Sequence, residues 1–503
     1  MNPRLTRFLL CAFAVCGLLF STAAAQTTIT VSTTDDELNS DGDCSLREAV
    51  QTFNTNSAVD ACATPAGAPF TIDLGASTYM ITIAGVGEDA NATGDFDITG
   101  TAALTITGSG EVDGNDEDRI FHLFAGTNVT MNGFRLMSGS LTTTSPTDGG
   151  GCVLNAGTFT LTNAVVNSCF VEGPGSSGGG LLNVSGTVTI ANTVFSLNDA
   201  DRAGGAIESN AGTMTLTNVT FDRNTTGITN PIPGNGGAIH ITGNGNATIT
   251  GGSATDNQAA SEGGAFWNSI GTMTIDGTSI TSNDSFGAGA DNGGGGVFNN
   301  GGTLDIDNAT ISSNTATTGA GSGGGILSTD GTVTTDNTTI ASNSANRAGG
   351  GIEIIDGTMT LTNVTLGGAS ATAGNFTGPS PGNGGGLHVT GTSGTTVTVN
   401  GGLVRWNVAA SEGGGLWGQT GSTLIVNGTS IRQNDAQGDP ADNGGGGIFN
   451  NGGTLDVNDA RIESNLASGA AGSGGGVFSI GGSVTIDGSV ISQNEAKRAG
   501  GAV

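Results

Sequence analysis

A glycine-rich repeat constrains most strongly what this chain can fold into. Its clearest copy is GGGGVFNNGGTLDIDNATISSN at residues 293–314, and it returns as GGGGIFNNGGTLDVNDARIESN at residues 444–465. Each copy holds three short runs in which apolar and polar residues alternate, separated by the Gly, Asn and Asp of tight turns. Each copy therefore predicts one coil of three β-strands. Because one coil cannot bury its own apolar face, the coils must stack.

The spacing of the repeat supports this interpretation. From Cys152 onwards, the first apolar residue after each glycine run follows the previous one by 26 to 35 residues, which fits three strands and three turns. The order of the spacings recurs every five coils, since Leu181, Ile326 and Val477 lie 145 and 151 residues apart. We interpret this as duplication of a five-coil block. The pattern predicts about twelve coils over residues 150–503, stacked over roughly 55–60 Å.

A column of asparagines supports the predicted register. Stacked at the spacing of neighbouring strands, roughly 4.8 Å, their side chains can bond to one another and to the turn backbone. This structural role explains the column without catalysis. Ten coils end their third strand in Asn: Asn198, Asn224, Asn257, Asn283, Asn314, Asn343, Asn407, Asn434, Asn465 and Asn494.

Two short motifs carry a family resemblance. GGAI occurs at residues 204–207 and 236–239, and FSLN and FDRN end at Asn198 and Asn224. They resemble the GGAI and FxxN motifs of polymorphic outer membrane protein repeats. The resemblance implies a right-handed, single-stranded parallel β-helix of the pectin-lyase-like kind, displayed on a bacterial surface.

Residues 1–25 have the pattern of a secretory signal peptide. Arg4 and Arg7 precede an apolar run at residues 8–20, and three alanines precede Gln26, the expected first mature residue. The apolar run is short for a membrane span, and no later segment approaches twenty apolar residues, so no membrane-spanning segment is expected. Without these residues, 11 basic side chains face 43 acidic ones. That balance excludes nucleic acid as a partner.

Four cysteines remain after residue 25, and an even number in an exported chain favours disulfides over a metal site. The natural pairs by proximity are Cys44 with Cys62 and Cys152 with Cys169, and other pairings remain open. Cys152 is assigned the first core position of its coil, and Cys169 the position that Asn holds in later coils. That pair would staple one coil.

The stretch CSLREAVQTFN at residues 44–54 differs from everything after it. Leu46, Val50 and Phe53 fall on one helical face, and Asp43 is placed to cap the helix. A short helix across the first coil would protect the open end of the solenoid. The stretch also resembles the CSLREA domain at the N-terminus of exported bacterial β-helix proteins. Residues 26–69 are therefore expected to form an N-terminal cap.

Residues 70–150 contain less regular strand candidates, which we interpret as early coils of the same helix, and residues 151–503 form the regular repeats. The sequence stops at Val503, just after Gly500, Gly501 and Ala502 have begun another coil. We therefore expect the natural chain to continue.

A second column follows the core positions of the first strands. Because side chains alternate along a strand, the residue after each core position should face outward. An apolar and aromatic stripe on an outer face indicates either a partner or a covering loop, such as the long turns at residues 225–233 and 367–381. As a binding surface it would offer Glu208, His240, Trp267, Phe298 and Leu327, and in the next block Glu353, His388, Trp417, Phe449 and Phe478.

Four carboxylates are candidate cation ligands. Asp276, Asp307 and Asp336 fall at the same outward position of three successive coils, with Asp305 beside them. Stacked carboxylates repel one another unless water, a proton or a cation intervenes, and a hard cation such as calcium would suit them. Solvated repulsion within a stable stack is the alternative. No cofactor is otherwise required.

We expect a secreted or surface-displayed, non-catalytic scaffold, an adhesin-like monomeric rod that binds an extracellular glycan or a surface protein. The alternative is a calcium-assisted polysaccharide lyase or a hydrolase on the same fold. Arg202, Arg347 and Arg498 recur with the five-coil period, which favours a structural role, and no catalytic constellation is evident.

Overall fold

Short runs rich in Thr, Val and Ile alternate between buried and exposed residues, and each run pairs with its copy in the next coil. The computed structural model describes residues 26–228, 233–391 and 394–503, so the predicted signal peptide lies outside the described residues. All pairings are parallel, and the strands form four sheets of 14, 16, 15 and 13 strands. The chain is a β-solenoid, as predicted, with the three expected strands per coil and a short fourth.

Sheet 1 holds the first strand of each coil. Twelve of its 14 strands lie beyond residue 150, which confirms the predicted number of regular coils. Its strands are Phe96–Ile98, Phe121–Leu123, Val153–Asn155, Leu181–Asn183, Ile207–Ser209, Ile239–Ile241, Phe266–Asn268, Val297–Asn300, Ile326–Thr329, Ile352–Ile355, Leu387–Thr390, Leu416–Gln419, Ile448–Asn451 and Val477–Ser479.

Sheet 2 holds the second strands. These are Thr27–Thr30, Phe70–Asp73, Ala103–Thr107, Asn128–Asn132, Thr158–Thr162, Thr187–Ala191, Thr213–Thr217, Asn246–Thr250, Thr272–Asp276, Thr303–Asp307, Thr332–Asp336, Thr358–Thr362, Thr396–Asn400, Thr423–Asn427, Thr454–Asn458 and Ser483–Asp487. The less regular residues from 70 onwards thus belong to the same solenoid.

Sheet 3 holds the third strands. These are Thr78–Met80, Glu111–Asp113, Arg135–Met137, Val165–Asn167, Val194–Ser196, Thr220–Asp222, Ser253–Thr255, Ser279–Thr281, Thr310–Ser312, Thr339–Ala341, Thr365–Leu366, Leu403–Arg405, Ser430–Arg432, Arg461–Glu463 and Val490–Ser492.

Sheet 4 follows the asparagine ladder and was not predicted. Most of its strands have only two residues, too short to stand out in a sequence pattern. They are Ser140–Thr142, Phe170–Glu172, Asp199–Ala200, Thr225–Thr226, Gln258–Ala259, Asp284–Ser285, Thr315–Ala316, Ser344–Ala345, Phe376–Thr377, Val408–Ala409, Asp435–Ala436, Leu466–Ala467 and Glu495–Ala496.

The main core runs along the inside of the coils and is built from the inward residues of sheets 1, 2 and 3, such as Phe266, Ile275 and Ile280. The asparagine ladder forms its edge. In each step, the backbone N–H and the side-chain amide of one Asn both donate to Oδ1 of the Asn in the next coil, as Asn283 does to Asn314 at 2.9 Å and 2.9 Å. Since the same amide also donates to a strand carbonyl, the buried polar groups are satisfied.

In the part of the chain that the structure describes, one helix and one short 3₁₀ turn interrupt the β-structure, at Leu46–Thr55 and Ala371–Ala373. The N-cap of the helix lies two residues after the expected one. Ser45, not Asp43, is the N-cap, and its hydroxyl accepts from the Glu48 N–H while Glu48 accepts from the Ser45 N–H. This reciprocal capping box satisfies two backbone donors, which a lone Asp43 carboxylate would not do. Of the described residues, no helix is long and apolar enough to cross a membrane.

The helix is fixed to the first coils by a buried cation. Arg47 is fully buried, with its Nε 2.7 Å from Asp36 and its other nitrogens donating to the carbonyls of Gly94 and Asp95. Phe53 meets Phe70 edge to face, with ring centroids 5.1 Å apart. The helix therefore packs on the N-terminal end of the stack, as its apolar face predicts.

Both disulfides join the cysteines expected from proximity, Cys44 with Cys62 and Cys152 with Cys169. One assignment was wrong by a residue. Val153, not Cys152, pairs with Leu181 at the core position, so Cys152 occupies the place of the last glycine in the next coil. That glycine position adjoins the ladder, and Cys169 stands in the ladder with its N–H 3.1 Å from Asn198 Oδ1. The bridge therefore joins two adjacent positions of one coil.

Candidate functional site

The predicted outward column lies on the outer side of sheet 1, apart from the main core, but it is not open to solvent. Its members pair in strict register, and nine of the ten proposed binding residues are between 0 and 7% exposed, while Phe478 in the last coil is partly exposed. The register runs Asp97, His122, Leu154, Leu182, Glu208, His240, Trp267, Phe298, Leu327, Glu353, His388, Trp417, Phe449 and Phe478.

Stacking of flat side chains accounts for much of this burial. The rings of His240 and Trp267 are parallel, with centroids 4.2 Å apart, and Trp267 stacks on Phe298 at 6.0 Å. The second block repeats the arrangement, with His388 and Trp417 at 4.2 Å. Two equivalent stacks thus follow from the five-coil duplication, as the sequence predicts.

Segments just before the glycine runs complete the cover. The indole N–H of Trp267 donates to Glu262 over 3.0 Å, and Glu412 accepts in the same way from Trp417. Burial raises the pKa of the Glu412 carboxyl, against the lowering effect of that hydrogen bond. Every polar edge of the stacked tryptophans therefore has a protein partner. The geometry favours the covered interpretation of the column over an open binding surface.

The sequence also suggests two long turns as covering segments. Residues 229–232 of the first turn lie outside the described residues. In the second, Asn375 joins the ladder and Phe376–Thr377 joins sheet 4. Asn375 is an additional ladder asparagine that the sequence reasoning missed, because the inserted residues before it hide the repeat.

Each glutamate of the column holds a buried ionic cluster. Glu208 Oε1 accepts from Arg202 at 2.8 Å and from Thr242 at 2.7 Å, and lies 3.5 Å from His240 Nδ1. Burial raises the pKa of Glu208, but His240, Arg202 and Thr242 outweigh burial and bring that pKa from 4.5 to about 2. The Glu208 carboxylate is therefore charged, and Arg202 neutralises that charge. Arg202, whose five-coil recurrence favours a structural role, therefore pairs with Glu208.

The second block repeats the cluster with Glu353. Its Oε1 accepts from Arg347 at 2.5 Å and from Thr390 at 2.7 Å, with His388 Nδ1 at 3.1 Å. Burial raises its pKa, and the same three kinds of partner lower it to about 2. Both histidines are buried against tryptophan, so a substrate has no direct approach to either cluster. A structural role explains both.

The aspartate column is in register as predicted, because Asp276 pairs with Asp307 and Asp307 with Asp336. Burial raises the pKa of Asp307, and repulsion from Asp305, Asp336 and Asp276 raises it further. The second effect is the mutual repulsion that the sequence predicts. Asp276 is relieved by Asn308, which donates to it over 2.8 Å. Among the described residues, three or more candidate ligand atoms come within 4.8 Å of one another only outside this column. Calcium binding at the aspartate column therefore stays a prediction.

A groove of about 430 Å³ lies at the turn between sheets 3 and 4, around the one tryptophan outside the column. Trp406 is half-buried and occupies the corner of the turn, with a positive φ of 57°. The volume of the groove is within the range of small-ligand sites. The groove is lined by Ala371, Trp406, Val408, Gln433, Asn434, Asp435, Gln437, Ser464 and Leu466.

Two unpaired arginines stand beside this groove. Arg405 and Arg432 are register neighbours on sheet 3, and each directly precedes a groove residue, Trp406 or Gln433. The Nε of each is buried without a hydrogen-bond partner, and within the described part of the chain no carboxylate lies within 4.0 Å of either. Glu463, the register neighbour of Arg432 in the next coil, pairs with Arg461 instead. In a chain of net charge −30, two adjacent cations that form no ion pair are unexpected.

One acceptor that lines the groove lacks a hydrogen-bond donor. Asp435 Oδ2 accepts from Gln437 at 3.1 Å, while its Oδ1 is buried without a donor. The groove therefore presents an aromatic face, an unsatisfied acceptor and amide groups, with two unsatisfied guanidinium donors on its border. The sequence reasoning passed over Trp406 because it lies outside the column, although it places an aromatic side chain at a turn corner where most other coils have a polar residue, such as Ser282 or Ser313.

The first five-coil block lacks this arrangement. At the equivalent positions, 150 and 151 residues earlier, it has Thr255, Asp256 and Thr281. A second groove of about 390 Å³ lies on the same edge near Phe170 and Leu197, but its Arg223 is paired with Asp222 at 2.8 Å. The unpaired cations and the half-exposed tryptophan thus occur together at one place.

Compared with family models, with curated proteins and with solved structures, the chain has no match in any of the three. The resemblance to CSLREA domains and to polymorphic outer membrane protein repeats therefore rests on the short motifs themselves. What the structure adds is the parallel β-solenoid and its side-chain arrangement.

Proposed function

We propose that this protein is an exported, non-catalytic β-helix scaffold that binds an acidic glycan in the Trp406 groove. The observation that carries the proposal is the presence of two unpaired arginines, Arg405 and Arg432, beside a half-exposed tryptophan in a strongly acidic chain. A rod of this charge repels acidic polymers in general, so a local cationic site selects where one can bind.

The groove chemistry suits a charged sugar. The face of an indole packs against the apolar face of a sugar ring, as aromatic side chains do at amphipathic surfaces. A planar guanidinium forms paired, charge-assisted hydrogen bonds with a carboxylate, which supports a uronic acid as the bound unit. Asp435 Oδ1, which lacks a donor, would accept a hydrogen bond from a sugar hydroxyl.

Export is part of the proposal. The leader pattern of residues 1–25 and the two disulfides support a secreted or surface-displayed protein, as does the resemblance of the 44–49 stretch to exported β-helix proteins. On a bacterial surface, a rigid rod of this kind would act as an adhesin-like receptor for extracellular polysaccharide. The alternative ligand of the same groove is a surface protein.

The test is a binding screen with a variant that the fold already accommodates. Arg405→Thr, Trp406→Asp and Arg432→Thr together reproduce the residues of the first block, where Asp256 has the same backbone conformation. Purified wild-type and triple-variant proteins are screened against pectate, alginate and neutral glycans. We expect binding to an acidic glycan that the triple variant loses at an unchanged melting temperature. Equal binding by both proteins would refute the assignment of the groove.

The same screen separates binding from catalysis. It is repeated with and without calcium while the release of shortened, unsaturated sugars is measured. Turnover by the wild type that is abolished in Asp276→Asn or Asp307→Asn would make the protein a polysaccharide lyase, and the non-catalytic proposal would be wrong.

A further inference from the structure

All three histidines of the chain lie in the column on sheet 1, and each follows an acidic residue of the preceding coil. Two of these pairs, Glu208 with His240 and Glu353 with His388, are neutralised by an arginine and a threonine hydroxyl. The first pair, Asp97 with His122, differs in its surroundings. Where the later pairs have an arginine, it has a second carboxylate, Asp89.

The first pair is left with unsatisfied negative charge. Asp97 is fully buried, and its Oδ1 has no hydrogen-bond partner although it lies 3.4 Å from His122 Nδ1. Asp89 Oδ1 lies 3.7 Å from the same nitrogen. The two nearby arginines pair elsewhere, Arg47 with Asp36 and Arg119 with Asp95, both at 2.7 Å. Glu208 Oε2 and Glu353 Oε2 also lack a donor, but only in Asp97 is the donorless oxygen the one that faces the imidazole. Because such a buried oxygen is costly and no arginine of the described residues pairs with Asp97, this arrangement favours a cation.

The three atoms have the spacing of a metal site. His122 Nδ1, Asp97 Oδ1 and Asp89 Oδ1 all lie within 4.8 Å of one another. A tetrahedral ion with bonds of about 2.1 Å holds its ligand atoms about 3.4 Å apart. The two separations from the imidazole nitrogen, 3.4 Å and 3.7 Å, are close to this distance between ligand atoms.

Neighbouring groups hold the ligands in place. The second oxygen of Asp97 accepts from the Asn91 N–H over 2.9 Å, which turns Oδ1 toward His122. The His122 ring stacks on Phe124 with centroids 3.8 Å apart. Glu88 accepts from the N–H groups of Ala90 and Thr93, which orders the loop that carries Asp89. Such supporting contacts are usual around metal ligands.

We propose that Asp89, Asp97 and His122 form a binding site for a divalent transition-metal ion of the zinc class. An imidazole nitrogen with two carboxylate oxygens suits Zn²⁺ better than Ca²⁺ or Mg²⁺, which prefer oxygen ligands alone. Bound there, the ion joins the loop around Asp89 to sheet 1 and neutralises Asp97. It stabilises the N-terminal coils in the way that Arg202 and Arg347 stabilise the later pairs.

The probe is zinc chloride, titrated calorimetrically into purified, metal-free wild-type protein. We expect one equivalent to bind and the melting temperature to rise. Asp89 is 71% exposed, so Asp89→Asn should leave the fold intact. Since loss of an outer-shell partner alone weakens metal affinity by about 10- to 100-fold, loss of this direct ligand should weaken zinc binding at least tenfold. His122→Gln should do the same. Glu117→Gln, which changes an exposed acid five residues before His122 in the sequence, should change nothing.

Imidazole NMR gives a second readout that does not depend on folding stability. Zinc should shift the ring signals of one histidine, the one that His122→Gln removes, and leave the other two unchanged. The proposal fails if wild-type protein binds no zinc, or if Asp89→Asn and His122→Gln bind it as tightly as the wild type.

Discussion

At the residue scale, tryptophans in two surroundings show how position decides role. Trp267 and Trp417 are 7% and 4% exposed, and their indole N–H groups are bonded to glutamates. Trp406 is half-buried at a turn corner and lines a groove. Trp267 and Trp417 therefore have a structural role, whereas Trp406 is placed to contact a ligand.

Replacing Trp267 by alanine should therefore act on stability. Truncation of a buried Trp typically costs about 3–5 kcal/mol, and it would also leave Glu262 without its donor. Trp406→Ala should cost less than about 1 kcal/mol, because the side chain is only half-buried. Denaturant midpoints of both variants, measured with glycan binding, check this. Loss of binding by Trp267→Ala at unchanged stability would instead support the column as the binding surface.

The glutamate clusters predict an acid-sensitive contribution to stability. The pKa values of Glu208 and Glu353 are lowered from 4.5 to about 2, so their stabilisation is complete above about pH 4.5 and is lost as the pH falls toward 2. A shift of this size corresponds to about 3 kcal/mol for each group.

The measurement compares the wild type with the Glu208→Gln and Glu353→Gln double variant across this pH range. The variant should be less stable near neutral pH, and the difference should shrink toward pH 2. A difference that stays constant with pH would show that these carboxylates do not retain their charge in the folded protein.

At the scale of elements, the asparagine ladder unites the coils. Each Asn offers one acceptor to two donors of the preceding coil and donates back to a strand carbonyl, as Asn314 does to Ile280 over 3.0 Å. The pattern could be predicted because it depends only on one residue type at a fixed place in the repeat. Where an insertion shifts the count, at Asn375, the sequence pattern fails while the geometry persists.

Asn314→Leu tests the ladder directly. The change leaves the backbone N–H of Asn283 and one of its two amide hydrogens without an acceptor and removes the donor to the Ile280 carbonyl. Each buried unpaired group costs about 1–3 kcal/mol. We expect a clear fall in the denaturant midpoint, and no change for Thr310→Ala, an exposed position in the same coil. A normal midpoint for Asn314→Leu would mean that the ladder does not stabilise the stack.

The three longer strands of each coil, their registers, both disulfides and the helix could be predicted because they depend on local period and on spacing. Features that depend on what lies opposite in space could not. Sequence alternation placed His240 and Trp267 outside the core, but only the structure shows that Glu262 accepts from the indole N–H. Likewise, nothing in the local sequence relates Asp89 to His122, since they meet only after the chain has completed a coil.

At the scale of the whole molecule, net charge and duplication act together. A chain of net charge −30 is kept apart from other acidic polymers except where cations are unpaired. Duplication supplied two equal structural blocks, and only the second carries Arg405, Trp406 and Arg432. The proposed site is therefore a difference between two copies of one scaffold.

The most direct test of the account measures affinity for two forms of one glycan, a polyuronate and its neutral methyl ester. Hydrogen bonds to charged groups contribute about 1.5–3 kcal/mol each, so Arg405 and Arg432 should favour the charged form by at least about tenfold. That preference should weaken at high salt and vanish in the Arg405→Gln and Arg432→Gln double variant. Equal affinity of the wild type for both forms, or a preference that persists in the double variant, would contradict the account.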